Sequence, residues 1–161
     1  KSGTSGAGKK FNEENEFKEN FRAYNIAGKH RHTPEINMFL TKLAKQKIQV
    51  SFTPHLVPMF RGLFATCYVN TKDDFKVEEF YDYYKDYYKD SRFTEILDFG
   101  VLPETMLAYE NNKCFIGMDY DKDTQRLIIC SCIDNLVKGA AGQAVQSMNL
   151  AMGFDESSGL L

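Results

Sequence analysis

Two apolar runs separated by a short polar segment place the strongest constraint on how this chain can fold. They cover residues 113–120 and 126–133, and both contain many residues that favour strands. Between them lies Asp121-Lys122-Asp123-Thr124, a composition typical of turns. Because the runs are equally long and so closely joined, they predict a β-hairpin. The chain must therefore contain an antiparallel pair of strands.

Other segments predict the remaining elements. Alternating or β-branched residues predict strands over 47–52, 61–70, 93–97 and 106–109. Apolar residues at three- and four-residue steps predict helices over 36–46, 73–90 and about 136–152. Strands mixed with a few long helices indicate an α+β fold, with a mixed sheet flanked by helices. No internal repeat or low-complexity linker divides the chain, so we expect a single domain over residues 1–161.

Several residues predict where the helices begin and end. Thr33-Pro34-Glu35 offers a capping hydroxyl and a first-turn proline to the first helix. Asp134 or Asn135 is expected to cap the last helix, and Gly153 to end it. The stretch Gly139-Ala140-Ala141-Gly142 is so small that another backbone or a ligand is expected to approach it closely.

Composition excludes several classes of function. The 161 residues carry 20 basic and 22 acidic side chains, a net charge of −2, which excludes a strongly basic nucleic-acid arm. No apolar run of about 18 residues and no signal-peptide pattern is present, so we expect no membrane role. The four cysteines lack the layout of a small secreted domain and are expected to be reduced, mostly in the core. We expect a cytoplasmic protein.

A tyrosine-rich stretch, residues 81–88, has the spacing of a base-stacking platform. Asp82, Asp86 and Asp90 lie among its lysines and would repel a phosphate backbone. An amphipathic helix that covers a sheet is the better interpretation, and no nucleic-acid partner is expected.

The first motif with possible chemistry is Gly3-x-x-x-x-Gly8-Lys9, which has the spacing of a phosphate-binding P-loop. Lys10 stands where a P-loop needs Ser or Thr for magnesium, and no strand precedes Lys1 in this chain. A nucleotide-hydrolysing loop is therefore disfavoured. A flexible terminus and a backbone nest for another anionic group remain as alternatives.

The second motif is Gly28-Lys29-His30-Arg31-His32-Thr33-Pro34-Glu35. Histidine titrates near neutral pH, so His30 and His32 are candidates for general acid–base work. Solvated histidines in a surface loop are the plain alternative. A zinc site is a weaker one, because no cysteine pair with finger spacing accompanies the histidines and Cys130-x-Cys132 lies on a predicted core strand. No metal is expected.

The third motif is the segment 52–62, which ends in Arg61-Gly62. An arginine at the start of a strand can present its planar fork to a carboxylate or a phosphate. A structural loop whose arginine caps carbonyl groups is the alternative.

Taken together, these segments carry a family resemblance. Residues 1–9, 28–36, 52–62 and 134–146 occur in the order and composition found in the second half of N-acetyl-gamma-glutamyl-phosphate reductases. That family is related to aspartate-semialdehyde dehydrogenase. The closing segments 148–150 and 153–156 are also similar to it, so the resemblance covers essentially the whole chain.

The resemblance implies a fold and a set of site residues. The fold is a mixed, largely antiparallel sheet, as in the C-terminal domain of glyceraldehyde-3-phosphate dehydrogenases. His30 would be the acid–base, with His32 orienting the substrate, although the order could be reversed. The implied substrate-binding residues are Ser2, Ser5, Gly6, Arg31, Glu35 and Arg61, and the implied cofactor-binding residues are Ser5, Gly6, Asn135 and Gly139. Lys9 stands where the family more often has Arg, which loses the bidentate fork.

The resemblance also implies a reaction and partners. Such enzymes reduce N-acetyl-glutamyl 5-phosphate with NADPH to the semialdehyde and phosphate, through a cysteine thioester, and form homodimers or homotetramers. A mitochondrial location would follow for a fungal parent.

Two departures matter. The Pro-Gly-Cys turn that carries the family's nucleophile is absent from this sequence, and so is the Gly-x-Gly-x-x-Gly dinucleotide fingerprint. We therefore expect a fragment that lacks an upstream NADP-binding domain and is inactive by itself. A non-catalytic dimerisation or binding module with this fold is the alternative.

Overall fold

A computed structural model describes residues 20–72 and 74–160. The chain divides into two compact units, which comprise residues 20–59 and 60–160 of the described part. Among the described residues, no helix is both long and apolar enough to cross a membrane.

The first unit contains one helix and a two-stranded ribbon. Strand β1 (Arg22–Ala23) pairs antiparallel with β2 (His55–Leu56), and helix α1 spans His32–Ala44. The helix begins four residues earlier than predicted, because the His32 N–H donates to His30 Nδ1 and the Thr33 N–H to the His30 carbonyl. The expected Thr33 cap is wrong, since that residue lies inside the first turn.

The predicted strand over 47–52 is also wrong. The polar groups of its backbone bond to side chains of α1 instead of to another strand. The Ile48 N–H donates to Thr41 Oγ1 at 3.0 Å, and the Val50 N–H donates to Asn37 Oδ1 at 2.9 Å. The segment is therefore held beside α1 by hydrogen bonds to helix side chains instead of by a strand ladder.

The second unit is built on a four-stranded sheet of order β3-β6-β5-β4. The strands are β3 (Leu63–Asn70), β4 (Thr94–Ile96), β5 (Cys114–Asp121) and β6 (Arg126–Ile133). The β3–β6 and β5–β6 pairs are antiparallel, and only β4–β5 is parallel. The mixed, largely antiparallel sheet is confirmed, and so is the hairpin from which the sequence argument began.

Helices surround this sheet. Helix α2 spans Val77–Tyr88, within the predicted range. The predicted strand over 106–109 is wrong, because Thr105–Ala108 forms a turn of 3-10 helix. The predicted last helix is two elements, a π-helix at Val137–Ala141 followed by α3 at Gly142–Met152, and Gly153 ends it in the left-handed conformation as expected.

The core of the second unit lies between the sheet and these short elements. Ala108 is fully buried against Phe115 and Cys132, which explains why the 3-10 turn replaces the expected strand. On the other face, Phe80, Tyr84 and Tyr88 of α2 are half-buried at four-residue steps, as an amphipathic helix requires. All four cysteines are free thiols, with Cys130 and Cys132 buried as predicted, Cys114 half-buried and Cys67 exposed.

Candidate functional site

The first cluster of candidate residues surrounds His30 in the unit 20–59. His30 is buried, and its Nδ1 accepts a hydrogen bond of 3.2 Å from the backbone N–H of His32. A backbone N–H can only donate, so Nδ1 carries no proton in this arrangement. The neutral ring therefore holds its proton on Nε2, and a proton added at Nδ1 would point at the His32 N–H.

Three aromatic rings hold the His30 imidazole in place. Tyr24, His32 and Phe52 contact it edge to face, with ring centroids 5.5, 4.8 and 5.2 Å away. Such packing leaves the His30 ring little freedom to turn. His32, in contrast, is exposed at the start of α1.

Arg31 and Glu35 are exposed on either side of His32. Arg31 immediately precedes α1, and Glu35 lies in its first turn. The structure thus brings His30, Arg31, His32 and Glu35 to one end of a single helix. The Arg31 cation and the N-terminal end of the helix favour an anionic ligand there, whereas the Glu35 carboxylate opposes one.

The second cluster is centred on Asp134 in the unit 60–160. Arg61 Nη1 donates to Asp134 Oδ2 at 2.7 Å, and Arg61 Nη2 lies 3.7 Å from Glu110 Oε1. The Arg61 guanidinium also lies 5.7 Å from the Tyr109 ring centroid. The hydrogen bond to Asp134 raises the pKa of Arg61 further, so this side chain stays charged.

Asp134 anchors several elements at once. Besides Arg61, its carboxylate accepts backbone hydrogen bonds from Glu110, Leu136 and Val137 at 2.9, 2.7 and 3.1 Å. Burial works against the charge, but Arg61 and these N–H groups together lower the pKa of Asp134 below its ordinary value. Of the two residues expected to cap the last helix, Asp134 is the one that accepts its first N–H groups. The same carboxylate orients the Arg61 side chain.

Asn135 adds an oriented amide beside this ion pair. Its Oδ1 accepts the Gly62 N–H at 2.5 Å, which identifies the oxygen because a backbone N–H can only donate. Nδ2 is buried and has no hydrogen-bond partner within the described part of the chain. Asn135 thus holds a buried donor that a ligand carbonyl could satisfy.

The small stretch 139–142 is approached closely, as its composition predicts. A side chain at Gly142 would collide with the amide of the buried Asn112, so a side chain of the same unit makes that approach. Gly139 is exposed, and its N–H donates to the Asp134 carbonyl at 2.9 Å within the π-helix. Asp134, Asn135 and Gly139 are therefore fixed relative to one another.

The remaining predicted residues lie outside the described ranges. These are Ser2, Ser5 and Gly6, together with the whole P-loop-like segment 3–9. Among the residues that the structure does describe, no group of three or more His, Cys, Asp or Glu side chains could hold a metal ion.

Comparison with known proteins identifies the family. Residues 1–135 match the family model described as semialdehyde dehydrogenase, dimerisation domain. The chain belongs to this family. The match includes His30, His32, Arg61, Asp134 and Asn135, but not Gly139.

Curated relatives agree with this assignment. The chain is 49% identical over 164 residues to N-acetyl-gamma-glutamyl-phosphate reductase of Symbiobacterium thermophilum, with 100% of the chain and 47% of the relative covered. The corresponding reductase of Campylobacter jejuni serotype O:2 is 48% identical over 99% of the chain and 47% of its own length. The chain thus spans about half the length of the curated relatives that it matches.

Solved structures show the same fold. Aspartate semialdehyde dehydrogenase II from Vibrio cholerae superposes with a TM-score of 0.58 at 21% identity, covering 78% of this chain and 38% of that one. Its complex with ASA gives a TM-score of 0.59 at 20% identity, over 76% of this chain and 37% of that one. The fold implied by the sequence resemblance is confirmed.

Sequence reasoning gave Asp134 only a capping role and did not name Glu110. The pairing of Asp134 with Arg61 joins positions 73 residues apart, and no local pattern indicates it. The one available signal was the capping position itself, since a carboxylate before a helix is expected to accept backbone N–H groups.

Proposed function

We propose that this chain is the substrate-binding and dimerisation part of an N-acetyl-gamma-glutamyl-phosphate reductase. Such an enzyme reduces N-acetyl-glutamyl 5-phosphate with NADPH to the semialdehyde and phosphate, in arginine biosynthesis. The observation that carries the proposal is the near-50% identity to reductases of that name along the whole chain. The buried Nδ2 of Asn135, which has no hydrogen-bond partner in the described part of the chain, supports a ligand site here.

The residues of the second cluster fit a nicotinamide dinucleotide. Asn135 Nδ2 is a buried donor with no partner in the described part of the chain, and a carboxamide oxygen is the kind of acceptor it lacks. Gly139 is exposed nearby in the π-helix and leaves room for a ring. NADPH, when bound, would supply the hydride. Asn135 and Gly139 would hold its reactive end, and Ser5 and Gly6 are proposed to contribute as well.

His30 and His32 receive different roles from their geometry. Because the His32 N–H donates to His30 Nδ1, the neutral His30 ring carries its proton on Nε2, and we propose that this N–H orients an oxyanion in the reaction. Charging His30 would place an N–H against the His32 N–H. His32 is exposed and can both bind and release a proton, so we assign proton transfer to His32 and oxyanion orientation to His30.

The charged residues are proposed to hold the substrate. Arg31 and Glu35 lie in the same turn as His32 and would bind the carboxylate and the acetamido N–H. Arg61, which Asp134 holds in place, is proposed to bind an anionic group of the substrate. Ser2, Ser5 and Gly6 are proposed as further substrate-binding residues. The nucleophilic cysteine would come from outside these 161 residues, so the chain alone is expected to be inactive. A cytoplasmic location fits the bacterial biosynthetic relatives.

Dimerisation is assigned to strand β3. This strand lies at the edge of the described sheet and exposes four large apolar side chains, Leu63, Phe64, Tyr68 and Val69. A second copy of the chain is the occupant we propose, because the matching family is a dimerisation domain. Tyr68→Lys should weaken the dimer in sedimentation, whereas Tyr83→Lys on α2, at a similarly exposed tyrosine, should not. Equal effects of the two changes would refute the assignment.

The deciding experiment uses the full-length protein that contains this chain. With N-acetyl-glutamate semialdehyde and phosphate, the reverse reaction should reduce NADP, followed by its absorbance. Aspartate semialdehyde is the matched control and should react far more slowly. Equal rates with both substrates, or no reaction with either, would overturn the proposed substrate. Turnover by the 161 residues alone would overturn the expected inactivity.

A further inference from the structure

A cavity of about 450 Å³ opens beside the short edge strand β4, apart from the Asp134 cluster of the same unit. Its walls come from the end of α2, the loop that follows, β4 itself and the residue that precedes β5. Cavities of this size accommodate small organic ligands. No residue assigned above to substrate or cofactor lines it.

Cationic side chains outnumber acidic ones in the lining of this cavity. Four cations contribute to it, Lys85, Lys89, Arg92 and Lys113, against a single acidic residue, Glu95. The chain as a whole carries a net charge of −2. The positive groups of the lining thus face the cavity with one carboxylate among them, and an anionic ligand would bind by competing with the carboxylates outside it.

Each cation also has a carboxylate partner. The pairs are Lys85–Asp98 at 3.4 Å, Lys89–Asp86 at 2.9 Å, Arg92–Asp155 at 3.2 Å and Lys113–Glu95 at 3.0 Å. Of the four carboxylates, only Glu95 lines the cavity. The paired side chains are all about half exposed or more, and ion pairs at such sites hold the charges weakly. A ligand anion can therefore compete for the same cations.

Helix stabilisation accounts for only part of this charge. Lys85 and Lys89 lie at the C-terminal end of α2, where cations complement the helix dipole. Arg92 belongs to the loop and Lys113 precedes another strand, so the dipole gives no reason for either. Their convergence on one cavity is a feature of the tertiary structure.

We propose that this cavity binds a small organic molecule with two or more negative charges, either a phosphate ester or a polycarboxylate. Beside the cations, Ser91 and Thr94 supply hydroxyl groups and Ile96 an apolar wall.

The test measures binding to the ¹⁵N-labelled chain at low ionic strength. The probes are glucose 6-phosphate and citrate, with glucose and inorganic phosphate as controls. At least one anionic organic probe should shift the backbone amides of residues 91–96 and of Lys113, and glucose should shift none. If glucose 6-phosphate binds with the lower Kd, the natural ligand is a phosphate ester. If citrate binds with the lower Kd, the natural ligand is a polycarboxylate.

Matched lysine variants separate a site from general attraction. Lys89→Gln and Lys113→Gln should each raise the Kd about tenfold, as for loss of one charge-assisted hydrogen bond. Lys76→Gln should leave it unchanged, since Lys76 forms a comparable exposed pair with Glu79 but does not line the cavity. Equal effects of Lys89→Gln and Lys76→Gln, no binding of either organic anion, or equally tight binding of inorganic phosphate would overturn the proposal.

Discussion

The two clusters of candidate residues are built in different ways. The histidine cluster is local: His30 and His32 are two residues apart, and the backbone N–H of His32 orients the His30 ring by a hydrogen bond. The arginine cluster joins Arg61 to Asp134 across 73 residues, and the Asp134 side chain is completely buried. A local cluster can expose its groups to exchange protons, whereas a buried ion pair fixes a direction and contributes to stability.

Removing the carboxylate of Asp134 should have the largest effect on stability. Asp134→Ala leaves Arg61 and three backbone N–H groups without their acceptor. We expect a loss of about 3 kcal/mol in the free energy of unfolding, as for other broken buried pairs. Urea unfolding followed by circular dichroism measures it. Asp86→Ala removes an exposed pair and serves as the control, with an expected change below about 0.5 kcal/mol. Similar losses for both would mean that Asp134 anchors nothing.

The histidines should differ in their effect on turnover. In the full-length enzyme, His32→Ala should lower kcat about a hundredfold and remove the pH dependence that the proton-transfer group imposes. His30→Ala should lower kcat but keep that pH profile, because His30 only orients the oxyanion. His55, stacked on Phe21, is the matched control, and His55→Ala should leave kcat unchanged. If His30→Ala abolishes the pH dependence instead, the two roles are reversed.

The pH dependence of stability should come from the buried cluster. The pKa of Asp134 is lowered in the folded state, because Arg61 and backbone N–H groups outweigh burial. The contribution of the Asp134 carboxylate to the free energy of unfolding is therefore fully present above the ordinary aspartate pKa of about 3.9. It disappears as the pH falls through the lower pKa that Asp134 has in the folded state. The difference in unfolding free energy between wild type and Asp134→Asn should narrow below about pH 4. A constant difference between pH 7 and pH 3 would contradict this assignment.

The smallest effect on stability is expected at the C-terminal end of α1. Lys45 follows α1 in the left-handed conformation, with φ of 52°, which costs a side chain free energy that glycine avoids. Lys45→Gly should stabilise the first unit by about 1 kcal/mol without changing kcat. Lys42→Gly, one turn earlier, should destabilise it by a similar amount. Thermal unfolding compares the two, and a loss of stability in both would contradict the role of the left-handed turn.

Sequence reasoning succeeded where neighbouring residues decide the structure. The hairpin follows from two strand-forming runs and a turn in which Asp121 accepts the N–H groups of Asp123 and Thr124. It failed at residues 47–52, where alternating apolar residues predicted a strand. The backbone N–H groups of this segment instead donate to the side chains of Asn37 and Thr41 in α1. It failed again at Met106, where burial of Ala108 against Phe115 favours a 3-10 turn.

The sequence by itself determined the α+β class, the β5–β6 hairpin and the amphipathic face of α2. Each depends on spacing along the chain, which the backbone converts directly into a shared face or end. Only the tertiary structure decided that Asp134 fixes Arg61, that Asn135 turns its buried N–H group away from Gly62, and that four cations line one cavity. These depend on contacts between distant segments, and such contacts are set by packing of the whole unit rather than by local preference.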